Sequence, residues 1–130
     1  MKTPKYISGP RLAELTGKHP FRIKETFAAA YVGRNELGNV FEVQSCCDVL
    51  RAESHCRVSP SDLFELVDRK EGAAILAELG KPRDPMSFRY WGEEGHIRVI
   101  RVGKWLRYVR SEVIEFAATL PDLPHRRLGH

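Results

Sequence analysis

The sequence predicts a mainly α-helical fold with small β-hairpin wings (α+β), in which one plan of helix, turn, helix, hairpin and helix occurs twice. Two pairs of similar segments recur in the same order along the 130 residues, which is typical of an internal duplication. Proline-containing turns separate short apolar helical patterns, and a stretch rich in β-branched and aromatic residues follows the second pair of helices. With 42% hydrophobic and 29% charged residues, the chain can build an ordinary buried core.

Two pairs of segments carry the repeat. LAELTGKHPFR at 12–22 resembles LAELGKPRDPMSFR at 76–89, because in both an apolar helix ends at Gly-Lys, turns through proline and resumes at Phe-Arg. VSPSDLFELV at 58–67 resembles VRSEVIEFA at 109–117. The repeat predicts two domains, the first with a longer middle section, and a basic tail, with the bounds 1–68, 69–120 and 121–130.

In the first domain, residues 11–15 and 21–32 are predicted to form two helices, with a turn at residues 18–20 between them. The strand-like segments NVFEVQ and HCRVS then flank SCCDVLRAES, which we expect to be a helical or irregular insertion. Ser59-Pro60-Ser61-Asp62 is predicted to begin the last helix, since serine caps it, proline suits its first turn and an acid follows.

In the second domain, residues 73–79 are predicted to form the first helix, which ends at a glycine. The KPRDP turn follows, and Pro85 suits the first turn of the second helix. HIRVIRVGKWLRYVR is predicted to form a two-stranded hairpin that turns at residues 103–104. Ser111 is the predicted cap of the last helix.

This second hairpin concentrates positive charge, with five basic residues and no acidic one between Arg98 and Arg110. A helix-turn-helix followed by a basic hairpin is the physical outline of a winged DNA-binding module. The second helix fits the major groove, and the Lys and Arg side chains of the wing attract phosphates. A solvated surface hairpin is the alternative. The net charge of +4 is compatible with a polyanionic partner.

Four features of residues 73–118 carry a family resemblance: an Arg-x-Trp ending to the second helix, a Gly-x-Ile step, an Arg-Val-Gly-Lys wing and a Ser-Glu helix start. They are Arg89-Tyr90-Trp91, Gly95-His96-Ile97, residues 100–108 and Ser111-Glu112. In these features the segment resembles the excisionase and AlpA-like branch of the MerR-type winged helix-turn-helix domains. Arg98 departs from the family, which often has proline there, and the KPRDP turn is longer than usual. Residues 8–68 resemble the family more weakly, because their wing lacks the Arg-Val-Gly-Lys run.

The resemblance implies a tandem winged helix-turn-helix protein that binds specific sequences of double-stranded DNA without a cofactor. Two duties are consistent with it, in a phage or mobile element. One is an excisionase (a recombination directionality factor), which bends attachment-site DNA to direct an integrase. The other is an AlpA-like transcriptional regulator. An integrase or a second copy of the chain would be the protein partner.

The resemblance also implies site residues. The second helix would contact base edges through Ser87, Arg89 and Tyr90. The wing would hold phosphates or enter the minor groove through Arg98, Arg101, Lys104, Arg107 and Arg110. In the first domain, a second DNA-binding surface would contain Lys18, Arg22 and Lys24. The alternative is a copy that only packs or dimerises.

A function of another class is an interaction module: a phage-type adaptor or inhibitor of proteins that retains the winged-helix fold. It would bind its partner through Trp105 and the insertion around Cys46. Catalysis finds no support, because the sequence has no Gly-rich phosphate loop, nucleophile elbow or paired-carboxylate motif. We therefore expect neither an enzyme nor a small-molecule substrate.

Three cysteines and one histidine cluster as Cys46-Cys47 and His55-Cys56. Zinc ligands are usually spaced two to four residues apart within a pair, so adjacent ligands face one ion awkwardly. We expect small buried hydrophobic side chains instead, and no metal. The odd number of cysteines fits a reducing compartment. No apolar run suits a membrane span or a signal peptide, so the predicted location is the cytoplasm.

Overall fold

The structure, a computed structural model, describes residues 3–122. Within that range the protein is a mixed α+β fold, with seven α-helices and two small three-stranded antiparallel sheets. The predicted basic tail at 121–130 lies almost wholly outside the described residues.

The elements follow one order twice: strand, helix, helix, hairpin and helix. We call residues 6–54 the first half, which contains β1 (Tyr6–Ser8), α1 (Gly9–Thr16), α2 (Pro20–Thr26), a 3-10 turn (Ala28–Ala30), β2 (Tyr31–Asn35), β3 (Gly38–Glu42) and α3 (Val43–Ser54). A single-turn helix, α4 (Pro60–Leu63), connects it to the second half at residues 66–117. The second half contains β4 (Leu66–Val67), α5 (Arg69–Glu78), α6 (Ser87–Glu93), β5 (Ile100–Val102), β6 (Trp105–Val109) and α7 (Arg110–Ala117). The strand orders β1-β3-β2 and β4-β6-β5 correspond.

Local sequence signals account for most helix starts. The Ser8 side chain accepts a hydrogen bond from the Arg11 N–H at the start of α1, and a reciprocal capping box joins Asp68 to Glu71 at the start of α5. Ser59 and Asp62 form a second such box on α4. The helix predicted to begin at Ser59 therefore starts where expected. Its cap satisfies backbone N–H groups that have no partner within the helix.

The predicted helix from Ser59 nevertheless ends after one turn. Leu66 and Val67 instead pair with Val109 and Tyr108 as strand β4. The counterpart of α7 is therefore α3, which directly follows its hairpin in the same way. Residues 58–67 and 109–117 are thus similar in sequence, but they do not occupy corresponding places in the two halves.

The segment expected as an insertion between two strands, residues 45–54, forms most of α3, which follows the first hairpin. Val43, Cys46, Cys47 and Leu50 are its buried residues, and their spacing of three or four places them on one helix face. The two cysteines act here as small hydrophobic residues, so the helix has the apolar stripe that it needs. The first half is complete without a longer middle section.

Three further predictions of local structure differ from the structure. The helix predicted for residues 21–32 ends at Thr26, and the chain enters β2 at Tyr31. His55 adopts a left-handed conformation that ends α3, so HCRVS forms no strand. Ser111 is not the cap of α7, because Val109 occupies the capping position and Glu65 Oε1 accepts the Ser111 N–H at 3.0 Å.

The two halves share their buried interior through the β5–β6 hairpin. Ile100 and Val102 on β5 belong to the hydrophobic cluster of the first half. Leu106 and Tyr108 on β6 belong to the cluster of the second half. Alternate residues of a strand point to opposite faces, so this hairpin is a wall between the two clusters. The predicted domain boundary between residues 68 and 69 stays a prediction. Val67, which precedes it, packs in the hydrophobic cluster of the second half.

Hydrogen bonds close the open edge of β5 against α3. The Arg101 N–H donates to Ser54 Oγ at 2.7 Å, and the Gly103 N–H donates to Glu53 Oε2 at 3.2 Å. Covering an edge strand in this way satisfies its unpaired backbone groups. Among residues 3–122, no helix combines the length and apolar character that crossing a membrane would require.

Candidate nucleic-acid interface

An open groove of about 1300 Å³ lies between α6 and the β5–β6 hairpin, with the start of α5 and one side of α7 at its walls. We call it the basic groove. Four carboxylates line it: Asp68, Glu93, Glu112 and Glu115. Seven cations line it: Arg69, Lys70, Arg89, Arg98, Arg101, Lys104 and Arg107. The groove therefore carries an excess of positive charge.

Arg98 is occupied by protein partners. Its guanidinium bridges Asp62 and Glu112, each at 2.9 Å, and also donates to the Arg57 carbonyl. The hydrogen bond with Asp62 is the main cause that raises the pKa of Arg98. Burial raises the pKa of Asp62, but the hydrogen bonds from Arg98 and Ser59 outweigh it and hold that pKa below its usual value. Arg98 thus joins the connecting segment to α7, and we leave it out of the proposed DNA-contacting surface.

Helix α6 presents two of the expected base-contacting residues to solvent. Arg89 and Tyr90 are exposed, while Ser87 is half-buried at the start of the helix. Arg89 Nε lies 3.2 Å from Glu93 Oε1, with both side chains more than half exposed. Such surface pairs contribute little, so Arg89 can exchange this partner for another.

The opposite side of α6 anchors the helix. Phe88 is fully buried and lies against the Tyr108 ring, with centroids 5.0 Å apart. Trp91 packs edge-on against both Phe88 and Phe116, at 5.0 Å in each case. These aromatic contacts set the position of α6 relative to the hairpin and thereby shape the groove.

The expected wing residues divide between the faces of the hairpin. Arg107 is paired with Ile100 and Trp105 with Val102, so these side chains project toward the first half. Arg101 projects from the other face, beside Leu106. Lys104 is exposed at the turn, whereas Arg110 is exposed at the start of α7 and does not line the groove.

The three expected residues of the first half lie around α2. Arg22 is exposed on that helix, and Lys24 Nζ lies 4.4 Å from the centroid of the Tyr31 ring, a cation–π contact with β2. Lys18 occupies the turn before α2 and reaches the hairpin of the second half at Gly103. Lys18 thus contacts the second half of the chain.

Two cations of the basic groove were missed by sequence reasoning. Arg69 and Lys70 begin α5, in a segment that reads as a connector between two copies. Asp68 followed by Glu71 was the available signal, because an acid three residues after a cap marks a helix start. Recognising that start would have placed both cations on the first turn of a helix.

The cysteine cluster has the expected apolar role at two positions. Cys46 and Cys47 are fully buried, and burial raises the pKa of Cys46 to about 12 and that of Cys47 to about 11. Both thiols are therefore protonated at neutral pH. Among residues 3–122, no three His, Cys, Asp or Glu side chains are grouped as metal ligands. Because Cys46 is buried, it cannot contribute to a docking surface.

Comparisons with family models, curated proteins and solved structures found no match for this chain. The candidate interface rests on its geometry and its charge.

Proposed function

We propose that this protein is a tandem winged helix-turn-helix protein that binds specific sequences of double-stranded DNA, as an excisionase or an AlpA-like transcriptional regulator. In this proposal α6 enters the major groove and presents Arg89 and Tyr90 to base edges. The phosphate backbone follows the basic groove between α6 and the hairpin.

One observation carries the proposal: most cations of the groove have no carboxylate partner. Within the described part of the chain, five of the seven form no ion pair: Arg69, Lys70, Arg101, Lys104 and Arg107. Like charges held along one surface repel one another, and a polyanion with regularly spaced phosphates removes that repulsion. The same groove borders the exposed side of α6, so backbone contacts and base contacts would be made together.

The docked hairpin supports the proposal as well. Ile100 and Val102 are fully buried, and the edge of β5 is hydrogen-bonded to α3. A wing held in this way loses little conformational freedom when it binds, so its contacts contribute more of their energy to affinity. The first half thus supports the wing, whether or not α2 also reads DNA.

Footprinting on the DNA upstream of the gene and at a neighbouring attachment site tests the proposal. We expect a protected region, and a binding constant that falls steeply with salt. Five phosphate contacts correspond to a slope of roughly 4 to 5 in log K against log salt, at about 0.9 per contact. Absence of protection, together with affinity that is insensitive to salt, would rule the proposal out.

The exposure of Phe21 favours a second candidate function, the binding of a protein partner. This side chain is 88% exposed on α2, and the His19 ring stacks on it with centroids 4.9 Å apart. An exposed aromatic pair is a suitable anchor for a protein interface. A complex formed through this pair should keep its affinity as salt rises, which distinguishes it from DNA binding.

A further inference from the structure

We infer that the two halves jointly form a phosphate-binding site, with Lys18 and Arg107 as its ligands. We call it the junction site. It lies where the turn between α1 and α2 meets the turn of the β5–β6 hairpin. The inference rests on the proposed function for the source of the phosphate, a duplex backbone, but the site itself stands on separate observations.

Two glycines let the two turns meet. Gly17 ends α1 with φ of 72°, and the Arg107 guanidinium fills the space in which a side chain on Gly17 would begin. Gly103 lies in the hairpin turn with φ of 62°, and Lys18 Nζ lies 2.7 Å from the position that its Cβ would take. Each half therefore sends one cation onto the backbone of the other half.

The charge at this contact is not balanced. Within residues 3–122, neither Lys18 nor Arg107 forms an ion pair, and Arg107 Nη1 donates only to its neighbouring Leu106 carbonyl at 2.8 Å. The Glu53 carboxylate lies at the same hairpin turn, where it accepts the Gly103 N–H. Lys18 and Arg107 are half-buried, and their two positive charges exceed the single negative charge of Glu53. The contact therefore has a net positive charge that a bound anion would stabilise.

Phosphate is the anion that this pair fits best. A guanidinium offers two parallel donors, and an ammonium adds a compact charge, which together suit the several acceptor oxygens of a phosphate. Arg107 also lines the basic groove, together with Arg101 and Lys104 of the same hairpin, so a backbone bound at the junction site can continue along that groove. A phosphate bound there would bridge the halves, and the first half would contact DNA through its turn.

Free phosphate tests the site without DNA. Thermal unfolding of the whole chain is measured in inorganic phosphate and in chloride at equal ionic strength. We expect phosphate to raise the Tm of the wild type, because a ligand that binds only the native state stabilises it. The double variant with Lys18→Gln and Arg107→Gln should lose that rise. The matched control Arg11→Gln, an exposed cation on α1, should keep it.

Duplex DNA tests the source of the phosphate. The slope of log K against log salt should fall by about 1 in the double variant and stay unchanged in Arg11→Gln. Glu53→Gln should tighten DNA binding, since the amide can still accept the Gly103 N–H while one negative charge is removed. Lys18→Gln alone keeps Arg107 in place, so it carries the test if the double variant loses its fold.

The outcomes separate the two proposals. If phosphate raises the Tm only when Lys18 and Arg107 are present, yet no DNA binds, the junction site stands and the proposed function fails. If DNA binds with an unchanged salt slope in the variants and phosphate has no effect, the junction site fails and the proposed function stands. A Tm effect with an unchanged DNA slope overturns the duplex backbone as the source.

Discussion

The two hairpins share their place in the order of elements, but they have different surroundings. Ile100 and Val102 of the second hairpin are fully buried against the first half. The first hairpin instead exposes Val32 and Leu37 to solvent. The order of elements thus sets which strands pair. The neighbouring half decides whether the outer strand of the hairpin is exposed, as at Val32, or buried, as at Ile100 and Val102.

The two helix pairs, α1–α2 and α5–α6, differ in a similar way. Pro20 is the first residue of α2, whereas Pro85 lies two residues before α6, not in its first turn as predicted. The third residue after each proline is buried: Ile23 in one case and Phe88 in the other. The residue directly after the proline is exposed in both, as Phe21 and Met86. Phe21 and Phe88 are both the second residue of their helix, yet only Phe88 is buried. Counted from the proline, Lys24 is the counterpart of Arg89.

The largest expected effect separates the two phenylalanines. Phe88→Ala should lower the free energy of unfolding by about 3–5 kcal/mol, because it leaves a cavity beneath α6. Phe21→Ala should change it by less than about 0.5 kcal/mol, because that side chain is in solvent. Urea denaturation at constant m-value measures both. Equal losses would show that the two helices bury the same position after all.

The next effect compares the hairpins. Ile100→Ala should cost about 2–4 kcal/mol, because Ile100 packs in the cluster of the other half. The matched change Val32→Ala on the first hairpin should cost under about 0.5 kcal/mol. A small loss for Ile100→Ala in urea unfolding would contradict the description of the second hairpin as a wall between two clusters.

A smaller effect concerns the ion pairs by which Arg98 joins the connecting helix α4 to α7. Arg98→Ala leaves Asp62 and Glu112 without their cation, and we expect a loss of about 1–3 kcal/mol at neutral pH. Arg34→Ala on the exposed first hairpin is the control, with no measurable loss. A double variant that also carries Asp62→Asn should recover part of the stability, since it removes one unpaired charge.

The stability that Asp62 contributes through this pair should depend on pH. The pKa of Asp62 in the folded protein lies below its usual value of 3.8. The contribution is therefore present above about pH 4 and is lost as the pH falls through the lowered pKa. The stability gap between wild type and Arg98→Ala should narrow below about pH 4, and a gap that stays constant would contradict this account.

The last effect is on DNA binding, and it compares α6 with α2. Arg89→Ala should weaken binding to the specific site by about 1–3 kcal/mol and relax base preference at one position. Lys24→Ala, at the corresponding position of α2, should weaken binding to all sequences by a smaller and uniform amount. Competition assays with single-base variants measure the difference. Equal loss of base preference in both variants would indicate that α2 reads DNA as well.

The sequence by itself determined the local boundaries. Ser59 with Asp62 predicts the start of α4, and the hairpin turn falls at residues 103–104 as expected. Buried Cys46 and Cys47 also match their expected role. These features depend on contacts between residues only a few positions apart, which is why a sequence pattern can reveal them.

Only the tertiary structure decided what each element meets. The bonds from Arg98 to Asp62 and from Arg101 to Ser54 span 36 and 47 positions, and no local pattern indicates such pairings. Tertiary contacts turned the end of a predicted helix into strand β4, made an expected insertion the counterpart of α7 and paired Arg98 with two carboxylates. Burial across the halves is set by the joint packing of distant segments, so it overrides the propensity of any one of them.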